Sequence, residues 1–228
     1  MPSPKTVPIK IYMVHFTLQT SIYDISATQS RKQYISQKVL MVMKRILFFG
    51  DSLTAGYGLA NVSFDSLPAL LQQKIDQEKL SFSITNAGIS GDTTAGGLQR
   101  IDLLLHQPID VFVLELGAND ILRGIAPKTS LKNLQGIVDK VTAKYPAAKL
   151  LLLGMELPAW IPGLVVAEFS AIFRQIAEAN KMKLVPFFLD GVAGVKHLNL
   201  QDGIHPTAAG YKVIADTVWP SLKELLQD

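Results

Sequence analysis

Apolar positions recur along the chain in two alternating rhythms. Five short apolar-rich runs, at 45–49, 82–86, 111–116, 149–154 and 183–187, are only five or six residues long and are bounded by Gly, Pro or polar residues. Runs of that length predict strands, and nearly continuous ones predict strands buried on both faces. Between them the spacing changes to that of helices. The segment 66–79 carries Leu67, Leu70, Leu71 and Ile75, and 94–106 carries Leu98, Ile101, Leu104 and Leu105. In 130–145 the apolar positions are Leu131, Leu134, Ile137, Val138 and Val141. Two further helices are predicted over 165–180 and 207–226. Apolar residues three and four apart form one stripe on a helix, which must be buried against another layer.

Strand and helix thus alternate five times. The pattern predicts an α/β fold of three layers, a flavodoxin-like, doubly wound, five-stranded parallel sheet with helices on both faces. In such folds the functional site lies outside the carboxyl ends of the strands. Residues 1–42 show no sustained period, so they are expected to be a poorly ordered extension, with 43–228 as the folded domain. Met41 and Met43 both stand just ahead of the first strand, and either could be the natural start.

Four polar, glycine-containing segments fall after strand ends. They are Gly50-Asp51-Ser52-Leu53, Gly88 to Thr93 with Gly91 inside it, Gly117-Ala118-Asn119-Asp120, and Asp202-Gly203-Ile204-His205. A serine nucleophile needs a neutral imidazole in reach, a carboxylate to hold that imidazole's tautomer, and donors for an oxyanion. Ser52 can be presented by a tight turn after a strand. Asp202 and His205, three apart in one loop, allow the carboxylate to meet Nδ1 while Nε2 faces Ser52. Asn119 offers a side-chain amide and Gly91 a backbone N–H. Singly, each residue has a plainer reading. Ser52 could be a helix N-cap, Asp202 a turn residue, and His205-Pro206 a helix lead-in. Together at one sheet edge, they are hard to explain as caps. His15, His106 and His197 lack such company.

Charge and composition narrow the field. The chain has 228 residues, a net charge of +3 and 48% hydrophobic residues. Residues 1–45 hold seven Lys/Arg against the single acid Asp24, leaving the remainder at −3. A mildly acidic body speaks against a nucleic-acid partner. The absence of Cys removes disulfides, thiol nucleophiles and cysteine-based metal sites. No paired histidines with metal-ligand spacing occur, so neither metal nor cofactor is expected. The most apolar stretch, 150–173, is broken by Glu156, Pro158, Pro162 and Glu168, which argues against membrane insertion. No secretory signal is evident at the N-terminus, which points to the cytoplasm, with a periplasmic or secreted location as the alternative.

The four segments, in this order, resemble the blocks of the SGNH (GDSL) hydrolase family. Leu116 to Gly124 and Phe169-Ser170-Ala171-Ile172 are similar to its bacterial acyl-CoA thioesterase I, arylesterase and lysophospholipase type. The likeness spans Lys44 to the C-terminus. It implies a serine hydrolase of carboxylic esters or acyl thioesters, acting on small-molecule substrates. Ser52 would be the nucleophile, His205 the general base and then acid, and Asp202 its orienter. The N–H groups of Ser52 and Gly91 and the side chain of Asn119 would form the oxyanion hole. Members of this type often carry Asn-Tyr-Gly after the Leu-Pro that follows strand 4. Here Leu157-Pro158-Ala159-Trp160-Ile161-Pro162-Gly163-Leu164 stands instead. Trp160, Ile161 and Leu164 are expected to wall an acyl chain, with Asp51, Leu53 and Ile204 also at the substrate. The rivals are a carbohydrate acetyl esterase of the same family, which the apolar 157–165 loop disfavours, and a non-enzymatic binding module. No oligomeric state is read from the sequence. With a neutral His205 as base, activity is expected to rise through about pH 6–7.

Overall fold

The computed structural model describes residues 43–156 and 164–227, with the backbone alone at 164–166. The extension expected at 1–42 and the loop at 157–163 lie outside the described residues.

Five parallel strands form one sheet in the order β2-β1-β3-β4-β5. They are β1 (Lys44–Gly50), β2 (Phe82–Gly88), β3 (Val111–Glu115), β4 (Lys149–Leu153) and β5 (Lys183–Val185). All of β3 is buried, and β1 is buried from Ile46 onward. These central strands are the ones whose sequences are apolar without alternation, as a sheet covered on both faces requires. The helices are α1 (Ser52–Ala55), α2 (Val62–Asp65), α3 (Leu67–Gln77), α4 (Thr94–Arg100), α5 (Ala118–Leu122), α6 (Pro127–Lys144), α7 (Leu164–Ala179) and α8 (Ala208–Gln227). In one layer α3 packs on α8. In the other, α4 packs on α6 and α6 on α7. Phe48, Phe49, Phe112, Phe169 and Phe173 fill the core and are closed to solvent. Burial of each such ring contributes about 1.5–3 kcal/mol.

The site position follows from the strand order. The chain leaves β1 for β2 on one side, then returns to β3 on the other. That reversal opens a crevice at the carboxyl ends of β1 and β3, where the segments starting at Asp51 and Gly117 emerge.

The flavodoxin-like expectation holds, with local differences. The helix predicted over 94–106 stays α-helical only to Arg100 and tightens into a 3-10 turn at Ile101–Leu104. Pro108 follows, and the backbone before a proline is driven out of the helical region. The strand predicted over 183–187 stops at Val185 because Pro186 has no N–H for the ladder. Phe187 then meets Met155 only in an isolated antiparallel bridge. The helix expected from 130 begins earlier, with Pro127 in its first turn. Among the described residues, no helix is long and apolar enough to cross a membrane.

Candidate active site

The Ser52 hydroxyl is presented by a turn with almost no slack. A single residue, Asp51, separates β1 from helix α1, and it caps that helix by accepting the Leu53 N–H at 3.0 Å. Gly50 makes this possible, since a Cβ there would collide with Thr54 Oγ1 and Glu115. Ser52 is 8% exposed, enough to offer its hydroxyl. The Oγ lies 2.9 Å from His205 Nε2, and His205 Nδ1 lies 2.7 Å from Asp202 Oδ2. Residues 150 positions apart are thus joined in one chain of hydrogen bonds.

The Asp202–His205 loop holds its own geometry. Asp202 Oδ1 accepts the backbone N–H groups of His205 at 3.0 Å and Ile204 at 2.9 Å. Gly203 between them has φ +69, a left-handed conformation that costs glycine nothing. The His205 backbone N–H, the imidazole and the Ile204 N–H together hold the Asp202 carboxyl low, at about 2. A carboxylate only accepts hydrogen bonds, so Nδ1 carries the proton and Nε2 is left to accept from Ser52 Oγ–H. Tyr57 packs on the imidazole, with ring centroids 4.6 Å apart at 45°.

Three candidate donors lie on the segments that follow β1, β2 and β3. Among the described residues, the N–H groups of Ser52 and Gly91 have no acceptor. Gly91 is exposed and held at φ +79, while its carbonyl accepts from Arg123 Nη2 at 2.7 Å. Asn119 Nδ2 donates to Asp51 Oδ2 and to the Asp92 carbonyl, each at 3.0 Å. The amide therefore ties the first, second and third polar segments together. Arg100 fastens the same region from inside. Its Nε donates to Asp92 Oδ2 at 2.7 Å, its Nη2 to the Gly50 carbonyl at 3.0 Å, and its guanidinium lies 3.9 Å over the Phe49 ring.

Two buried carboxyls lie beneath this surface. Burial pushes Asp51 up to about 6, against the lowering effect of the Leu53 N–H and Asn119 amide. Burial and the neighbouring Asp51 charge push Glu115, at the end of β3, well above the usual carboxylate range. Glu115 is 1% exposed.

The structure joins Ser52, His205 and Asp202, and it links Gly91 to Asn119 through Asp92. Ile204, expected at the substrate, is 42% exposed beside His205. Asp51 and Leu53, also expected there, lie below the surface. They are 0% and 2% exposed, so their side chains are withdrawn into the interior. Both belong to the turn that presents Ser52: Asp51 is its cap, and Leu53 joins the core. Trp160 and Ile161 lie outside the described residues. Leu164 opens α7, and its side chain is not described. Sequence reasoning passes over Tyr57, Arg100 and Glu115. Only Glu115 leaves a signal, as the one charge within the apolar run 111–116. Among the described residues, no group of three or more His, Cys, Asp or Glu is placed to hold a metal ion.

Comparison with known proteins accords with this geometry. The model of the GDSL-like Lipase/Acylhydrolase family matches residues 48–213. Esterase TesA of Pseudomonas aeruginosa is 42% identical over 182 residues, covering 79% of this chain and 89% of its own. Thioesterase 1/protease 1/lysophospholipase L1 of Escherichia coli K12 is 38% identical, covering 79% of this chain and 84% of its own. The crystal structure of TesA superposes with a TM-score of 0.75 at 41% identity, over 80% of this chain and 99% of that one. The chain belongs to the GDSL-like lipase/acylhydrolase family and is, with it, an SGNH ester/thioester hydrolase.

Proposed function

We propose that the chain cleaves small carboxylic esters and acyl thioesters in two steps through an acyl-enzyme on Ser52. Ser52 Oγ attacks the carbonyl carbon as His205 Nε2 takes its proton. The tetrahedral oxyanion is met by the N–H groups of Ser52 and Gly91 and by Asn119 Nδ2, which exchanges one of its two present acceptors for the oxyanion. The C–O or C–S bond breaks, and His205 returns the proton to the departing alkoxide or thiolate. Water then attacks the acyl carbon and gives a proton to His205. Ser52 Oγ leaves, takes that proton, and the carboxylic acid is released. Asp202 stays ionised throughout and stabilises the imidazolium that forms in each step.

The observation that carries this reading is the unbroken line from Ser52 Oγ through both His205 nitrogens to Asp202. The names of the two relatives support both ester and thioester as substrate classes. The apolar Trp160, Ile161 and Leu164 suit the wall of an acyl chain by their character. Ser52→Ala should lower kcat on a p-nitrophenyl acyl ester roughly 10⁴-fold or more, leaving a residual rate from the oxyanion donors. Near-wild-type hydrolysis by that variant would overturn the assignment.

A further inference from the structure

Glu115 is buried directly beneath the nucleophile, and the two-step reaction gives it no part. Its Oε2 accepts the Asp51 N–H at 3.2 Å and the Thr54 hydroxyl at 2.8 Å. Those two groups stand one residue before and two residues after Ser52. Its Oε1 is buried without a hydrogen-bond partner among the described residues. A carboxylate so placed would be an uncompensated buried charge, since an ionised carboxyl has about four acceptor sites to satisfy.

Among the described residues, the surroundings offer no unpaired cation to balance it. From the loop after β1, Asp51 faces it with a charge of the same sign. From α1 come only neutral donors, the Thr54 hydroxyl and the Thr54 backbone N–H. From α8, the buried Tyr211 donates its hydroxyl to the Leu53 carbonyl at 2.9 Å, and burial first, with the acidic surroundings second, holds that phenol protonated. From α4, Arg100 is spent on Asp92 and the Gly50 carbonyl. His205 lowers the Asp51 carboxyl and Asp92 raises it. Burial and like charge both favour the protonated acid.

We propose that Glu115 is a positioning residue for Ser52 that works as an un-ionised carboxylic acid. In this form it clamps the backbone on both sides of the nucleophile. Its ionisation sets a second negative charge beside Asp51, loosens the turn and disturbs the Asp51–Asn119 contact that orients the oxyanion amide. The kinetic part of the inference rests on the acyl-enzyme reading, whereas the protonation part does not.

The test compares wild type with Glu115→Gln and Glu115→Leu. A carboxyl whose folded pKa is raised contributes stability that is full below its unfolded value and is lost as pH rises through the folded value. Gln cannot ionise and avoids that loss. The melting temperature of Glu115→Gln minus that of wild type should therefore grow by several degrees between about pH 5 and pH 9. A difference constant across that range overturns the neutral acid, whatever the catalytic residues are. In pH-stat hydrolysis of a short-chain ester, the alkaline fall in wild-type kcat should move up by about one pH unit or more in Glu115→Gln, with KM little changed. An alkaline limb identical in the two proteins, or none in wild type, overturns the role in positioning. So does a Gln variant as impaired as Glu115→Leu, because the amide oxygen keeps the acceptor that Leu lacks.

Discussion

In the proposed mechanism Ser52 is an ordinary alcohol made reactive by placement. Its turn is set by Gly50 and capped by Asp51, and its proton acceptor is aligned by a loop that Asp202 organises with both oxygens. Asp202→Asn keeps the size but offers an amide where Nδ1 needs a pure acceptor, so the imidazole can settle in the wrong tautomer. The expected loss in kcat is roughly 10³–10⁴-fold at little-changed KM, read from steady-state ester hydrolysis. A loss under about tenfold would mean that the carboxylate does not set the tautomer. At this scale the sequence was legible where chemistry has a spacing. Asp202 and His205, three apart, declared a loop in which one could orient the other. Tyr57 was not legible, because nothing local shows that Gly56, at φ +81, turns the chain to bring its ring onto His205. The burial of Asp51 was not legible for a related reason. Adjacency to the nucleophile in sequence became burial beneath it once the cap formed.

The elements carry the site only if the sheet keeps its register, and β2 is its exposed risk. It lies at the sheet edge, where unpaired backbone groups invite another strand. Gln72 of α3 covers part of that edge in the manner of a neighbouring peptide. Its Oε1 accepts the Ile84 N–H at 2.8 Å, and its Nε2 donates to the Phe82 carbonyl at 3.1 Å. Gln72→Ala should cost about 1–2 kcal/mol in urea unfolding. It should also raise concentration-dependent association in light scattering, because two edge groups become free to pair. Unchanged stability and a monodisperse variant would show that the contact does not protect the edge. Strand and helix periods were legible in the sequence because burial on two faces or one stripe leaves a count behind. The ends were less so. Pro186 stops β5 through a missing donor, and α4 gives way to a tighter turn on its approach to Pro108. Short α1, α2 and α5 span four or five residues and so carry no readable period.

For the whole molecule, the strand order decides the function's address. Segments far apart in sequence converge because β1 and β3 flank the point where the chain reverses direction. The net charge of +3, which taken alone suggests an anionic partner, belongs to residues 1–45, while the rest of the chain is at −3. The fold class could be read from alternation alone. The link between Asn119, Asp51 and Asp92 needed three strands brought together and left no local trace, and the lone charge of Glu115 in an apolar run did not show that it would lie under Ser52. The central claim is that Ser52 forms a covalent acyl intermediate. Incubation of the full chain with a fluorophosphonate probe, followed by peptide mass mapping, tests it most directly. The account predicts one adduct per chain, on Ser52, absent from Ser52→Ala and slow to form in Asp202→Asn. An adduct on a different serine, or no adduct in a preparation that hydrolyses esters, would contradict it.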